Sequence, residues 1–451
     1  MNQTDIYLDH AATTPLDPAV LEAMMPYLTT RFGNPSSIYA AGRDARAGLD
    51  WARANIAKIL NCQAREIVFT SGATEADNLA VKGVAWKHRL QHPDRPGHIV
   101  TTAFEHHAVL HSVEYLEKFG FEATYVRPGP DGIVRVEDIA DAIRDDTILI
   151  SVMYANNEIG TIQPIAEIGK LARERGIPFH TDAVQAAGWL PLDVQALNVD
   201  LLSLSAHKFY GPKGVGVLYV RRQTPILWQQ SGGAQENNHR AGTENVAGIY
   251  GMAVALQRAV QEQEARTAHV QALRDRLIDA LLTRIPGTRL NGDRERRLPN
   301  NVNISFEGVE GETVLLNLDM HGIAASSGSA CTTGSTRATC SPRLACPRRS
   351  PPVASGSPSA RTTPPRRSTA PSRCSPIRSP ACARWPSFRP TEPPVARRSA
   401  RIVPARAWDA PRTGTMRALC AVFTLGPCPG LKPPGHNESR LKPAEVGDPT
   451  G

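Results

Sequence analysis

The chain has 451 residues, enough for two domains with large cores. Its formal net charge of +8 is unevenly placed: residues 336–451 hold 20 Lys and Arg against 5 Asp and Glu, net +15, while residues 1–335 hold 31 against 38, net −7. The basic balance therefore belongs to the last quarter and is no sign of nucleic-acid affinity in the first 335 residues. Cysteine and proline divide the same way, with six of eight Cys and 22 of 37 Pro after Ser335. Cys62 and Cys331 alone make no disulfide framework, which predicts a reducing, cytoplasmic setting. The opening MNQTDIYLDH has no leader pattern, and no apolar run is long enough to span a membrane.

From Glu66 to Val220 short apolar runs alternate with amphipathic stretches. In order they are EIVFT, TEADNLAVKGVAWKH, HIVTT, AVLHSVEYLEKFG, TILISVMY, IAEIGKLARERG, PFHTD, LLSLS and VGVLYV. That alternation predicts an α/β fold, a mostly parallel sheet with helices on both faces. From Glu244 the pattern becomes long and helical, before a strand-like NVNISFEG and a helix-like ETVLLNLDMHG, which predicts a smaller α/β domain. Residues 15–250 would form the large domain, and 1–14 with 251–335 the small one. After Ser335 periodicity vanishes into Pro, Arg and Ser, and residues 336–451 read as a disordered tail.

In such sheets ligands sit beyond the carboxyl ends of the strands. After VFTSG, the Ala73-Thr74-Glu75 turn opens a helix whose free N–H groups favour an anion such as phosphate, although an ordinary N-cap would look alike. After PFHT, Asp182 is a strand-end carboxylate able to hold a protonated pyridine nitrogen. After LLSL comes Ser205-Ala206-His207-Lys208. A lysine where an apolar strand ends can be desolvated enough to form a Schiff base, and Ser205 and His207 can reach phosphate oxygens. Lys213, between Pro212 and Gly214, reads as an exposed turn residue.

Together with YLDHAATTP, FGNPSS, TEADN, EHHAV, NNEIGTIQP, HTDAVQ, SAHKFYGPKG, RAGTEN and SSGSACTTGS, this order of motifs resembles the cysteine desulfurases, enzymes of PLP fold type I that use pyridoxal 5'-phosphate (PLP). The resemblance covers about residues 5–335. It implies that Lys208 carries the cofactor and moves the substrate's α-proton, that Asp182 pairs with the ring nitrogen, and that Gln185 meets the ring hydroxyl. By the same resemblance His106 stacks on the ring and takes part in proton transfer, with His107 left as a structural neighbour. Ala73, Thr74, Ser205 and His207 hold the phosphate, and Asn157 lies by the cofactor and the substrate carboxylate. Thr243 matches a phosphate contact made from a second subunit, which implies a homodimer.

Cys331 separates this reading from a transaminase: its SSGSACTTGS surroundings describe a mobile loop whose thiolate could take sulfur from PLP-bound cysteine as a persulfide. The expected reaction converts L-cysteine to L-alanine and passes sulfur to an acceptor, an iron–sulfur scaffold or a tRNA-thiolation protein. A selenocysteine lyase is the alternative on the same scaffold. A nucleic-acid-binding basic tail is the alternative of another class, but the tail lacks interleaved stacking aromatics. The tail is instead expected to be a frameshifted reading of the enzyme's ending, because synonymous codons for Thr336–Arg349, Ala354–Thr363 and Pro365–Pro376 can encode helix-, strand- and helix-like segments in one other frame. A chain ending so would lack the family's carboxylate-binding arginine and bind PLP better than it turns over cysteine.

Overall fold

The computed structural model describes residues 6–328 and 418–424, with Phe423 the only side chain described in the second stretch. Cys331 lies outside the described residues, as does the basic tail apart from residues 418–424. In chain order the elements are β1 (Ile6–Tyr7), α1 (Pro18–Thr29), α2 (Ala40–Leu60), β2 (Ile67–Thr70), α3 (Ala73–Gln91), β3 (His98–Thr102), α4 (His107–Glu117), β4 (Glu122–Val126), α5 (Val136–Ala142), β5 (Thr147–Ser151) and α6 (Ile165–Arg175). They continue with β6 (Phe179–Asp182), β7 (Leu201–Ser205), β8 (Gly216–Val220), α7 (Gln235–Asn238), α8 (Val246–Gln261), α9 (Gln263–Arg284), β9 (Thr288–Leu290), β10 (Asn301–Glu307), α10 (Gly311–Met320), β11 (Ile323–Ala324) and β12 (Ala418–Thr424).

The main sheet has seven strands in the order β2-β8-β7-β6-β5-β3-β4. Its pairings are parallel except at β8, which runs antiparallel to both β2 and β7. Two successive reversals restore direction, so β2, β7, β6, β5 and β3 all end at the same edge. The segments following those five strands, far apart in sequence, are thereby brought to one side of the sheet.

Alternation along each strand explains why both faces are covered. Ile67, Phe69, Val100, Ile150, Leu202, Leu204, Val217 and Tyr219 belong to one buried cluster, with α6 and α8 residues such as Ile168 and Met252. Their neighbours Val68, Ile99, Leu149, Leu201 and Leu218 belong to another, with Leu79 and Val84 of α3 and Val113 of α4. Each fully buried Leu, Ile or Phe stabilises the fold by roughly 1.5–3 kcal/mol. A buried ion pair ties the α7 turn to β2: Arg53 and Glu236, 7 % and 5 % exposed, meet at 2.8 Å, and Glu236 also accepts from the Phe69 N–H at 2.9 Å. Removing one partner of such a pair costs about 3–5 kcal/mol.

A separate three-stranded antiparallel sheet has the order β12-β10-β9, and β1 pairs in parallel with β11. Here the structure corrects the sequence-based expectation that residues 336–451 hold no element. Residues 418–424 form a strand along the whole of β10, and Phe423, 7 % exposed, packs with Ile278, Val302 and Ile304. The run ALCAVFT is apolar, partly β-branched and free of Pro and Arg, which suits an open strand edge; averaged into its Pro/Arg/Ser surroundings it was invisible.

Candidate active site

Beyond the shared strand edge lies a cavity of about 520 Å³. Nine of the residues singled out in the sequence line it: Ala73, Thr74, His106, Asn157, Asp182, Gln185, Ser205, His207 and Lys208. Thr243 does not line it and is exposed. Lys213 is exposed and reaches the cavity rim.

At one end of the cavity β2 gives way to Ser71-Gly72 and the first turn of α3, whose N–H groups have no partner inside the helix. Gly72 takes φ +154°, and Gly216 passes so close that a Cβ there would stand 2.6 Å from the Gly72 carbonyl carbon, so both positions need glycine. Ser205, the last residue of β7, and His207 just beyond it complete this end, with His207 Nδ1 3.1 Å from Thr13 Oγ1. Burial, then the Lys208 and Lys213 charges, press the His207 pKa down to about 4, so it is neutral at physiological pH. Glu75 also borders this end; Arg240 holds it at 2.9 Å and lowers its pKa, while burial works against that shift.

At the other end Asp182 closes β6 with 5 % of its surface exposed, one oxygen accepting from the Val184 N–H at 2.9 Å. Burial first, then Asp77, raise its pKa to about 6, with His106 opposing. Lys208 follows β7 in a short turn, and its ammonium donates to the carbonyls of Ala11 and, at 3.0 Å, Ala12. Gln185 Nε2 donates to the same Ala11 carbonyl at 3.0 Å. His106 caps α4, its Nδ1 accepting from the Ala108 N–H at 3.1 Å.

Sequence reasoning missed the layer behind Asp182. Asp77 on α3 is fully buried 3.5 Å from His180 Nε2, and burial pushes its pKa up to about 7, partly offset by nearby Ser203, though neither oxygen has a hydrogen bond of ordinary geometry. Glu105 accepts from Thr102 Oγ1 at 2.6 Å and the Met153 N–H at 2.8 Å; its other oxygen has no partner, and burial pushes its pKa up to about 8. Both acids lie within the TEADN and EHHAV motifs, which mark their positions, but local sequence does not show that they are buried. The Ala11-Ala12-Thr13 wall was quoted within a motif but given no role.

These groups fit PLP. The α3 terminus with Ser205 and His207 offers neutral donors to a phosphate. Among the described residues the desolvated Asp182 carboxylate makes no ion pair with a Lys or Arg; a protonated pyridine nitrogen would supply one, and Lys208 follows the adjacent strand β7 as a candidate for the aldehyde carbon. Fold and site together define a PLP enzyme of fold type I.

Comparison with known proteins carries this further. Residues 6–344 match the Aminotransferase class-V family. A cysteine desulfurase IscS of Clostridium botulinum is 52 % identical over 326 residues, covering 72 % of this chain and 81 % of that protein. One from Dictyoglomus turgidum is 53 % identical over 325 residues, covering 72 % and 82 %. Among solved structures, a NifS-like protein superposes with a TM-score of 0.69 at 38 % identity, covering 72 % of this chain and 88 % of that one. The structure of SspA in complex with cysteine gives 0.64 at 37 %, covering 73 % and 90 %. The chain belongs to the class-V aminotransferase family, within its PLP-dependent cysteine desulfurases.

Proposed function

We propose that this chain converts L-cysteine to L-alanine at the cavity between Lys208 and Asp182, passing the sulfur to Cys331 and then to an acceptor protein. The observation that carries the reading is the convergence of Lys208, Asp182, Gln185, His106 and the α3 terminus on one cavity, in a chain about half identical to cysteine desulfurases. When bound, PLP supplies the electron sink that makes the substrate's α-proton removable. Asp182 holds the ring nitrogen protonated, Gln185 orients the ring hydroxyl, and Ala73, Thr74, Ser205 and His207 bind the phosphate, with Thr243 of a second copy adding to it across a homodimer. Asn157 orients the substrate carboxylate. Lys208, once released, takes the α-proton.

Gly328 lines the cavity, and three further residues of chain span at most about 11 Å. Cys331 itself lies outside the described residues, and its role is carried by the resemblance. Its thiolate forms the S–S bond as the substrate C–S bond breaks; the bond pair stays with carbon, which gains a proton and leaves as alanine. Cys62 is unsuited to this step, because burial and then Glu66 push its thiol up to about 12. Quantifying alanine from L-cysteine and from selenocysteine, with a dithiol present to clear the persulfide, tests the reading. Faster alanine release from cysteine supports it, and release from selenocysteine alone refutes it.

We read residues 336–451 as an out-of-frame ending. In support, the family match stops at residue 344, and part of the relatives' length finds no counterpart here. The sulfur acceptor is an iron–sulfur scaffold or a tRNA-thiolation protein.

A further inference from the structure

The surroundings of His106 fix where its ring proton sits. His106 is the N-cap of α4, with extended backbone (φ −60°, ψ 147°), and its Nδ1 lies 3.1 Å from the Ala108 amide nitrogen with that N–H directed at the ring. A backbone amide can only donate. Nδ1 must therefore present its lone pair, and in a neutral imidazole the single proton then resides on Nε2. The other tautomer, and the imidazolium, would each set an N–H against the Ala108 N–H and leave a helix-terminal donor unsatisfied.

We infer that His106 is locked as a neutral, Nε2-protonated imidazole that donates hydrogen bonds into the cavity and does not serve as its base. This deepens the function proposed above and rests on it for the identity of what the donor meets. The groups facing the ring agree with a neutral state. Burial first lowers its pKa, and Lys208 on the turn after β7 and His107 and His111 on α4 act in the same direction; Asp182 alone opposes them by attracting a proton. Asp77 also lies near, with a carboxylate oxygen within 4.8 Å of a His106 ring nitrogen and an Asp182 oxygen. Burial raises the Asp77 carboxyl to about 7, so it is largely neutral at the lower end of the tested pH range and ionised at the upper end. The same arrangement assigns proton removal from substrate to other groups, Lys208 first. His106 is left to donate, through Nε2, to an oxygen or sulfur lone pair that gains charge during reaction.

The test is long-range ¹H–¹⁵N correlation of the histidine rings in the full-length, PLP-loaded chain, with the His106 signals assigned by their loss in His106→Asn. Asn retains an N-cap acceptor for Ala108. We expect the Nε2–H pattern for His106 at every pH from 6 to 9. An Nδ1–H pattern, or a titration midpoint inside that range, overturns the inference. Should His106→Asn fail to fold, His106→Gln provides the same assignment by difference. The visible absorbance of bound cofactor, read on the same samples, reports separately whether PLP occupies the site. Loss of that colour refutes the functional reading, while the ring pattern of the apo chain still decides the tautomer.

Discussion

Lys208 Nζ donates to the Ala12 carbonyl oxygen at 3.0 Å, across 196 positions of sequence. The amine that would carry the cofactor is thus held by the N-terminal wall of the cavity, against the segment that Gln185 also grips through Ala11. Replacing Lys208 by Ala removes both the attachment point and the group placed to move the α-proton. Alanine formation should fall about 10³-fold, within the range for loss of a positioned acid–base group, with circular dichroism unchanged.

Cofactor affinity should depend on pH through Asp182. In the apo chain its pKa is raised to about 6, chiefly by burial and then by Asp77. If Asp182 pairs with the ring nitrogen as proposed, affinity for PLP should hold above pH 6 and weaken by about tenfold per unit below it. Asp77→Asn should move the midpoint downward, since Asp77 is one of the causes raising it. An upward movement, measured by quenching of intrinsic fluorescence, would contradict this.

Asp77 itself should carry a stability signature. Its folded-state pKa lies near 7, above the ordinary value of 3.8, so the folded chain holds a proton that the unfolded chain has released between those limits. Stability from this group is present below about pH 4, falls as pH rises towards 7, and is absent beyond it. Asp77→Asn should therefore raise the melting temperature more at pH 8 than at pH 5. A penalty on the order of 2–4 kcal/mol is removed at the higher pH. Equal effects at both would show that the carboxyl is not held neutral.

Much of this site was legible before any coordinates. The sheet's parallel strands could be read from apolar runs, and ligand chemistry collects where such strands end, so Asp182 and Lys208 announced themselves by position. What remained hidden depends on long-range packing. The antiparallel β8 looks in sequence like any other buried strand, yet it sets the common edge that gathers the α3 terminus with Lys208. Asp77 and Glu105 become unusual only once a sheet and two helices close over them. The β12 strand was lost in its surroundings because composition was averaged over a long window, whereas strand pairing needs only seven residues.

Cys331 should be separable from the cofactor chemistry. Cys331→Ala should bind PLP with the wild-type spectrum, because none of the groups proposed to hold the cofactor is altered, and should accumulate no protein persulfide. A persulfide on Cys62, identified by mass spectrometry, would contradict the assignment, since a thiol pushed up to about 12 has only about one part in 10⁴ ionised at pH 8.

The out-of-frame reading of residues 336–451 is checked by the gene itself. Shifting the frame near codon 336 should yield an open stretch through codon 376 encoding an amphipathic helix, a strand bearing an arginine, and a final helix. A chain restored to that frame should turn over cysteine faster than the present one. Stop codons in that stretch would end the idea, leaving β12 as a native part of the small sheet.

The most direct measurement is where the cofactor is attached. Borohydride reduction of the PLP-loaded chain, followed by proteolysis and mass spectrometry, should place the pyridoxyl mass on the peptide containing Lys208, with none in Lys208→Ala. Attachment to Lys213, or a chain that takes up no PLP, would contradict the site described between β6 and β7.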